Sequence, residues 1–358
     1  MANIIDYLHW RGDLAFDTHP LNELDNLILS EICYIDYSDT VSLFPSTEKT
    51  TLFNATNSVF EHVNKDDIVL GLIMPGEIIR LADIAMDTNR YKNIYMSNYI
   101  NEVEKVHCMQ FSAVTFHLPN NVIYIAFRGT DDTLIGWQED LDMVRKFPIP
   151  AQKMAVKYVN KIAELFPEDN IIIGGHSKGG NLATYAAIYC NLSVKDRIIQ
   201  VYNNDGPGFH KEQINLEKYY LVKHKITRII PDESIVGVIF DDFSGKTIIA
   251  KAVVKGIYQH DAFSWSCQHT EFVKAENLSE NSEKLDEAIT AMLERMNQKE
   301  RVDFANNVYE FIVLLNQNTL TEVNNNKLNF IKMLNKLNTK NKMIFMELIY
   351  NFIRYDQI

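Results

Sequence analysis

Residues 171–187 read IIIGGHSKGGNLATYAA, with one hydroxyl, Ser177, set between paired glycines. Gly175-His176-Ser177-Lys178-Gly179 fits G-x-S-x-G, with an apolar run ahead of it and a helix-forming run behind. That context is what the pattern requires: a sharp strand-to-helix turn lifts the serine above the carboxyl end of a sheet. Glycines on either side let strand and helix approach without clashing β-carbons. The following helix aims its positive end, and the Lys178 amide, at charge developing beside Ser177. The bland reading, a tight turn with an incidental serine, does not explain so many glycines in this context.

A serine hydroxyl needs a base, and the base an orienting acid. In elbow-type hydrolases the chain order is Ser, then Asp or Glu, then His. Asp205 and Asp232 each follow a predicted strand. Asp232, after ITRIIP (226–231), is the expected acid, and Asp205 is expected to hold the DGPGF turn together. Glu233 is the weaker neighbour of Asp232. His210 and His224 precede Asp232, so the base falls to His260, in YQHDAFSW, or to His269; His260 is expected. His176 is expected to be a buried hydrogen-bonder, and is grouped with Trp137 around the substrate site. The second oxyanion donor is expected after an earlier strand. In IAFRGTDD, Thr130 offers both an amide and a hydroxyl.

These residues need a frame. FSAVTFHL (111–118) and NVIYIAFRGT (121–130) read as paired strands, and AQKMAVKYVNKIAELF (151–166) as a helix with Met154, Val156, Val159, Ile162 and Leu165 inward. A strand at 170–173, a helix at 178–189, and strands at 197–204 and 226–231 follow. SIVGVIF and KTIIAKAVV flank DDFSG as a hairpin. Strands alternating with helices predict an α/β fold with a mostly parallel central sheet flanked by helices. Residues 1–105 read as largely helical, completing a domain over 1–274, and 275–358 as an all-helical extension.

Composition excludes several classes. Formal charge is −12, with 35 basic and 47 acidic residues and no basic block, which excludes nucleic acid as an expected partner. No run reaches the length of a membrane span, and the first residues lack a secretory layout. Cys33, Cys108, Cys190 and Cys267 have no metal-like spacing and read as reduced thiols of a cytoplasmic protein. No metal or organic cofactor is expected. The partner is a small-molecule or lipid ester, with transient contact at a lipid surface.

VIYIAFRGT…GWQEDL followed by GGHSKGGNLA resembles the class 3 lipases of the α/β-hydrolase fold. More closely, DYLHWRGDLAF, NELDNLILSEICYID, FRGTDDTLIGWQEDLDM and YQHDAFSW together resemble the bacterial Mbeg1-like family, a lipase-like group, over roughly residues 1–350. The resemblance implies Ser177 as nucleophile, Asp232 as orienting acid, His260 as base, and Thr130 with Lys178 as oxyanion donors. It implies an ester hydrolase with a lipid-like acyl substrate; a silent scaffold and a thioesterase or acyltransferase are the rival readings. Lys178 departs from the lipase pattern, which has an apolar residue there. Its ammonium either favours an anionic head group or pairs with Asp131 or Asp132, and the ion pair is expected. Trp137, in the lid-equivalent segment, either lines an acyl pocket or anchors that segment by burying its indole.

Overall fold

The structure is a computed structural model. It describes residues 1–62, 76–131, 133–143, 146–210 and 212–284, with positions 65, 68, 70, 286, 287, 299, 300, 302, 303 and 306. The amino-terminal part supplies helices α1 (Ile4–Arg11), α2 (Glu23–Ile32), α3 (Leu52–His62) and α4 (Glu77–Asp87), with a two-residue strand β1 (Thr50–Thr51) between α2 and α3. Asn3 and Asn22 start α1 and α2 by accepting from first-turn amides, and Asp6 and Asp25 reach back to complete each capping box.

Strands β2 (Tyr95–Glu104), β3 (Met109–Leu118) and β4 (Val122–Phe127) come next, then helices α5 (Leu134–Asp142) and α6 (Pro150–Leu165). The nucleophile unit is β5 (Asn170–His176) and α7 (Lys178–Tyr189). After it come α8 (Leu192–Arg197), β6 (Ile198–Asn204), α9 (Leu216–Tyr220), β7 (Ile226–Pro231), β8 (Lys246–Ala250) and a small ribbon of β9 (Cys267–Gln268) with β10 (Glu271–Phe272). The main sheet has eight strands in sequence order. β1 to β4 pair antiparallel, and β4 to β8 pair parallel.

This is the α/β-hydrolase arrangement, a mostly parallel sheet with helices on both faces. The side chains divide with the period of two that a strand imposes. Tyr124, Ala126 and Ile172 join one core with Leu24, Ile28 and Leu81 of the amino-terminal helices. Ile123, Ile125, Ile171 and Ile173 join the other with Val159 and Ile162 of α6 and Leu182 of α7. Burial on both faces explains why β4 and β5 are continuous apolar runs. Of the expected α6 stripe, Val159 and Ile162 are buried while Met154, Val156 and Leu165 pack at its edge.

Two expectations are corrected. The 60–105 stretch is not only helical, because β2 is a ten-residue strand paired with β3. Polar residues on its inner positions, Ser97 and Asn98, hid it, and Asn98 adopts φ 57° at a register shift. The hairpin at 235–253 does not form either. β8 lies parallel to β7, and 234–241 is a turn whose Ile235 and Val238 are buried. The helical extension expected from 275 lies outside the described residues beyond its first turns. There Ser279 and Ser282 hydrogen-bond to the carbonyls of Asp232 and Ser234.

Candidate active site

Ser177 ends β5 and caps α7 with φ 56° and ψ −131°, a conformation that L residues avoid. Such strain persists only where the surroundings impose it. Here they do. Ser177 N–H donates to Asn204 O at 2.9 Å, and its carbonyl accepts from Gly180 N at 2.9 Å. A β-carbon on Gly175 would stand 2.4 Å from Gly179 C, and one on Gly179 would stand 2.1 Å from Phe127 O. The glycines therefore let β4, β5 and α7 converge beneath the serine.

His260 closes the 3₁₀ turn Gly256–His260 after β8. Its Nε2 stands 3.0 Å from Ser177 Oγ, and its Nδ1 stands 2.7 Å from Asp205 Oδ2. Asp205 is fully buried at the carboxyl end of β6, beside the nucleophile strand. Its other oxygen accepts from Ser234 Oγ at 2.5 Å and Gly237 N at 3.1 Å. A carboxylate with three donors is held in one orientation.

The acid beside His260 is thus Asp205, correcting the expectation of Asp232. Asp232 sits past the end of β7, where its Oδ1 accepts from Ala252 N at 3.2 Å. Its position fastens the chain leaving β8 rather than the imidazole. Glu233 accepts from Gly256 N at 2.7 Å, and its own amide donates to Gln259, so it shapes the His260 turn. His269 is exposed, and its carbonyl accepts from the Trp10 indole.

On the oxyanion side, Lys178 opens α7 with its amide at the helix amino terminus. Thr130, nearly buried, donates its hydroxyl to Asp140 Oδ2 at 2.5 Å, leaving its amide as the group for an oxyanion. Burial raises the Asp140 carboxyl to about 6, opposed by Lys178 and the Thr130 hydrogen bond. The Lys178 ammonium is buried and does pair, but with Glu139, at 3.1 Å, and not with Asp131. It also reaches Gln110 O at 3.1 Å and Gln110 Oε1 at 2.5 Å. Asp131 pairs with Arg128 instead, and Asp132 lies outside the described residues. Glu139 is further held by the amides of Gln110 and Ala151. α5 is thereby fastened to the elbow. Trp137 is half-buried on α5, with a buried indole N–H that has no hydrogen-bond partner among the described residues.

The sequence profile of the Mbeg1-like family matches residues 85–310, spanning β2 to beyond His260. The chain belongs to the Mbeg1-like family. No curated protein sequence matches it. Solved structures similar to this Mbeg1-like chain include Lip2 lipase from Yarrowia lipolytica, 14% identical over 73% of this chain and 90% of that one, with a TM-score of 0.38. A fungal lipase–inhibitor complex is 16% identical over 58% and 69%, with a TM-score of 0.35. A lipase from Penicillium cyclopium is 11% identical over 70% and 84%, with a TM-score of 0.36.

His176 is buried behind the Mbeg1-like elbow, not exposed to a substrate, which corrects its grouping with Trp137. Its Nε2 hydrogen-bonds to the carbonyl of His260 at 3.0 Å, and its Nδ1 stands 3.2 Å from Glu31 Oε1. The Tyr34 hydroxyl lies against Gly129, where an added β-carbon would come within 2.3 Å of it. Sequence reading missed Glu31, Tyr34, Ser234, Gly237, Glu139 and Asp140. Only the buried charge at Glu31, inside the apolar face of α2, left a sequence signal. The assembled groups can pass a proton from a serine hydroxyl to an imidazole and offer amides to a developing oxyanion. Among the described residues no helix is long and apolar enough to cross a membrane, and no group of residues could hold a metal ion.

Proposed function

We propose that the protein is a serine hydrolase that cleaves a carboxylic ester through an acyl-enzyme. Ser177 Oγ attacks the ester carbonyl while His260 Nε2 takes its proton. Asp205 holds Nδ1–H and stabilises the imidazolium that forms. The Lys178 and Thr130 amides receive the oxyanion. His260 then protonates the leaving alcohol, and the same steps with water release the acid and restore Ser177. The observation that carries this reading is His260, hydrogen-bonded to Ser177 through one ring nitrogen and to a buried carboxylate through the other. The strained elbow supports it independently.

The acyl group is lipid-like in this reading, and the site works in the cytoplasm. The test has two arms. A fluorophosphonate probe should label wild type and not Ser177→Ala; an unlabelled wild type would favour a silent scaffold. Against p-nitrophenyl esters of rising chain length, kcat/KM should peak at long acyl chains, and a flat profile would refute lipid specificity while leaving the esterase reading intact.

A further inference from the structure

Glu31, His176 and His260 come from α2, β5 and the turn after β8, yet they meet behind the nucleophile. A backbone carbonyl can only accept, so the His176 ring must carry its proton on Nε2 to bond to His260 O. Its Nδ1 is then a bare acceptor facing Glu31 Oε1 at 3.2 Å. Glu31 Oε1 is buried and has no hydrogen bond to any described residue. An ionised, undonated carboxylate oxygen at such a place would be costly, and it would meet the Nδ1 lone pair. A carboxylic acid resolves both difficulties by presenting O–H to Nδ1.

We infer that Glu31 is a neutral acid which, through neutral His176, positions the backbone of His260 and keeps a cation away from the base. This rests on the serine-hydrolase reading of the site. Burial favours the same state at both groups. It holds the Glu31 carboxyl well above its usual range, with Asp261 adding to the effect. It pushes the His176 imidazole well below its own range, with the His260 ring adding to that. The reason for neutrality lies in the spacing. The two imidazole rings are 4.8 Å apart at 31°. A charged His176 would repel the imidazolium that His260 becomes in the transition state, in a site with little water to screen it. Glu31 and His176 are positioning residues, since neither touches Ser177.

The experiment compares Glu31→Gln, Glu31→Leu and His176→Phe with wild type. The Gln amide can donate to Nδ1 as the acid does, so Glu31→Gln should keep kcat within about threefold. Glu31→Leu and His176→Phe should lower kcat at least roughly tenfold with KM unchanged, the loss of about one positioning hydrogen bond. The infrared spectrum of wild type should show a protonated-carboxyl C=O band that Glu31→Gln lacks. This comparison does not depend on activity or on the folding of the Leu variant. Absence of the band, or Glu31→Gln as impaired as Glu31→Leu, overturns the inference. So does a Glu31→Leu protein with wild-type kcat. A wild type that fluorophosphonate fails to label overturns the hydrolase reading instead, while the infrared band still reports the charge state of Glu31.

Discussion

Asp205 Oδ2 stands 2.7 Å from His260 Nδ1, while Asp232, one strand further along the sheet, accepts from the Ala252 amide at 3.2 Å. Both acids follow a strand, so exchanging them separates the two assignments. Asp205→Asn should lower kcat about 10³–10⁴-fold, because the amide favours the wrong tautomer of His260. Asp232→Asn should stay within about threefold. Steady-state kinetics on a p-nitrophenyl ester decides it, and the reverse order would return the acid role to Asp232.

Ser234 Oγ donates to the buried Asp205 Oδ1 at 2.5 Å, and Gly237 N supplies the other donor at 3.1 Å. Hydrogen bonds to charged groups contribute about 1.5–3 kcal/mol. Ser234→Ala should therefore lower kcat by about tenfold or more, with KM little changed. A variant indistinguishable from wild type would mean that Gly237 alone fixes the carboxylate.

Lys178 and Glu139 form an ion pair in which both side chains are almost fully buried. Breaking such a pair from one side costs about 3–5 kcal/mol, because the remaining charge is stranded. Lys178→Met should lose that much stability in urea unfolding, and Lys178→Met with Glu139→Gln should lose less than the sum of the single changes. Additive losses would show that the two charges are not coupled.

The Asp140 carboxyl, raised by burial to about 6 from an ordinary 3.8, binds its proton more tightly folded than unfolded. The sign is that of a group lending stability at low pH: its contribution is complete below about pH 4 and is lost as pH rises to about 6. Asp140→Asn removes this dependence. The stability of the variant relative to wild type should rise between pH 4 and 6, then level off, as measured by denaturant midpoints across that range. A constant difference would place the Asp140 carboxyl at its ordinary value.

Much of this arrangement is legible in the chain because it is local. The glycines around Ser177, the apolar run before them and the alanine-rich run after them specify a strand, a turn and a helix within seventeen residues. Period-two and period-3.6 patterns place β3 to β7 and α6 and α7 for the same reason, since neighbouring residues dictate which face is buried. His260 was within reach as well, because chain order and a loop after the last strands leave few candidates.

What tertiary structure alone decides is which of several suitable groups meet. Asp205 and Asp232 are equivalent in type and in their place after a strand; only the parallel pairing of β5 with β6 puts the first of them next to the serine. The turn at 234–241 has strand-like composition, but it is held away from the sheet by Gly237 bonding to Asp205 and by burial of Ile235 and Val238. Lys178 finds Glu139, and His176 finds Glu31, across 39 and 145 residues of chain. Contacts over such separations leave no periodic signature, because their energy comes from desolvated charge and hydrogen bonding that exist only once the sheet has closed around them.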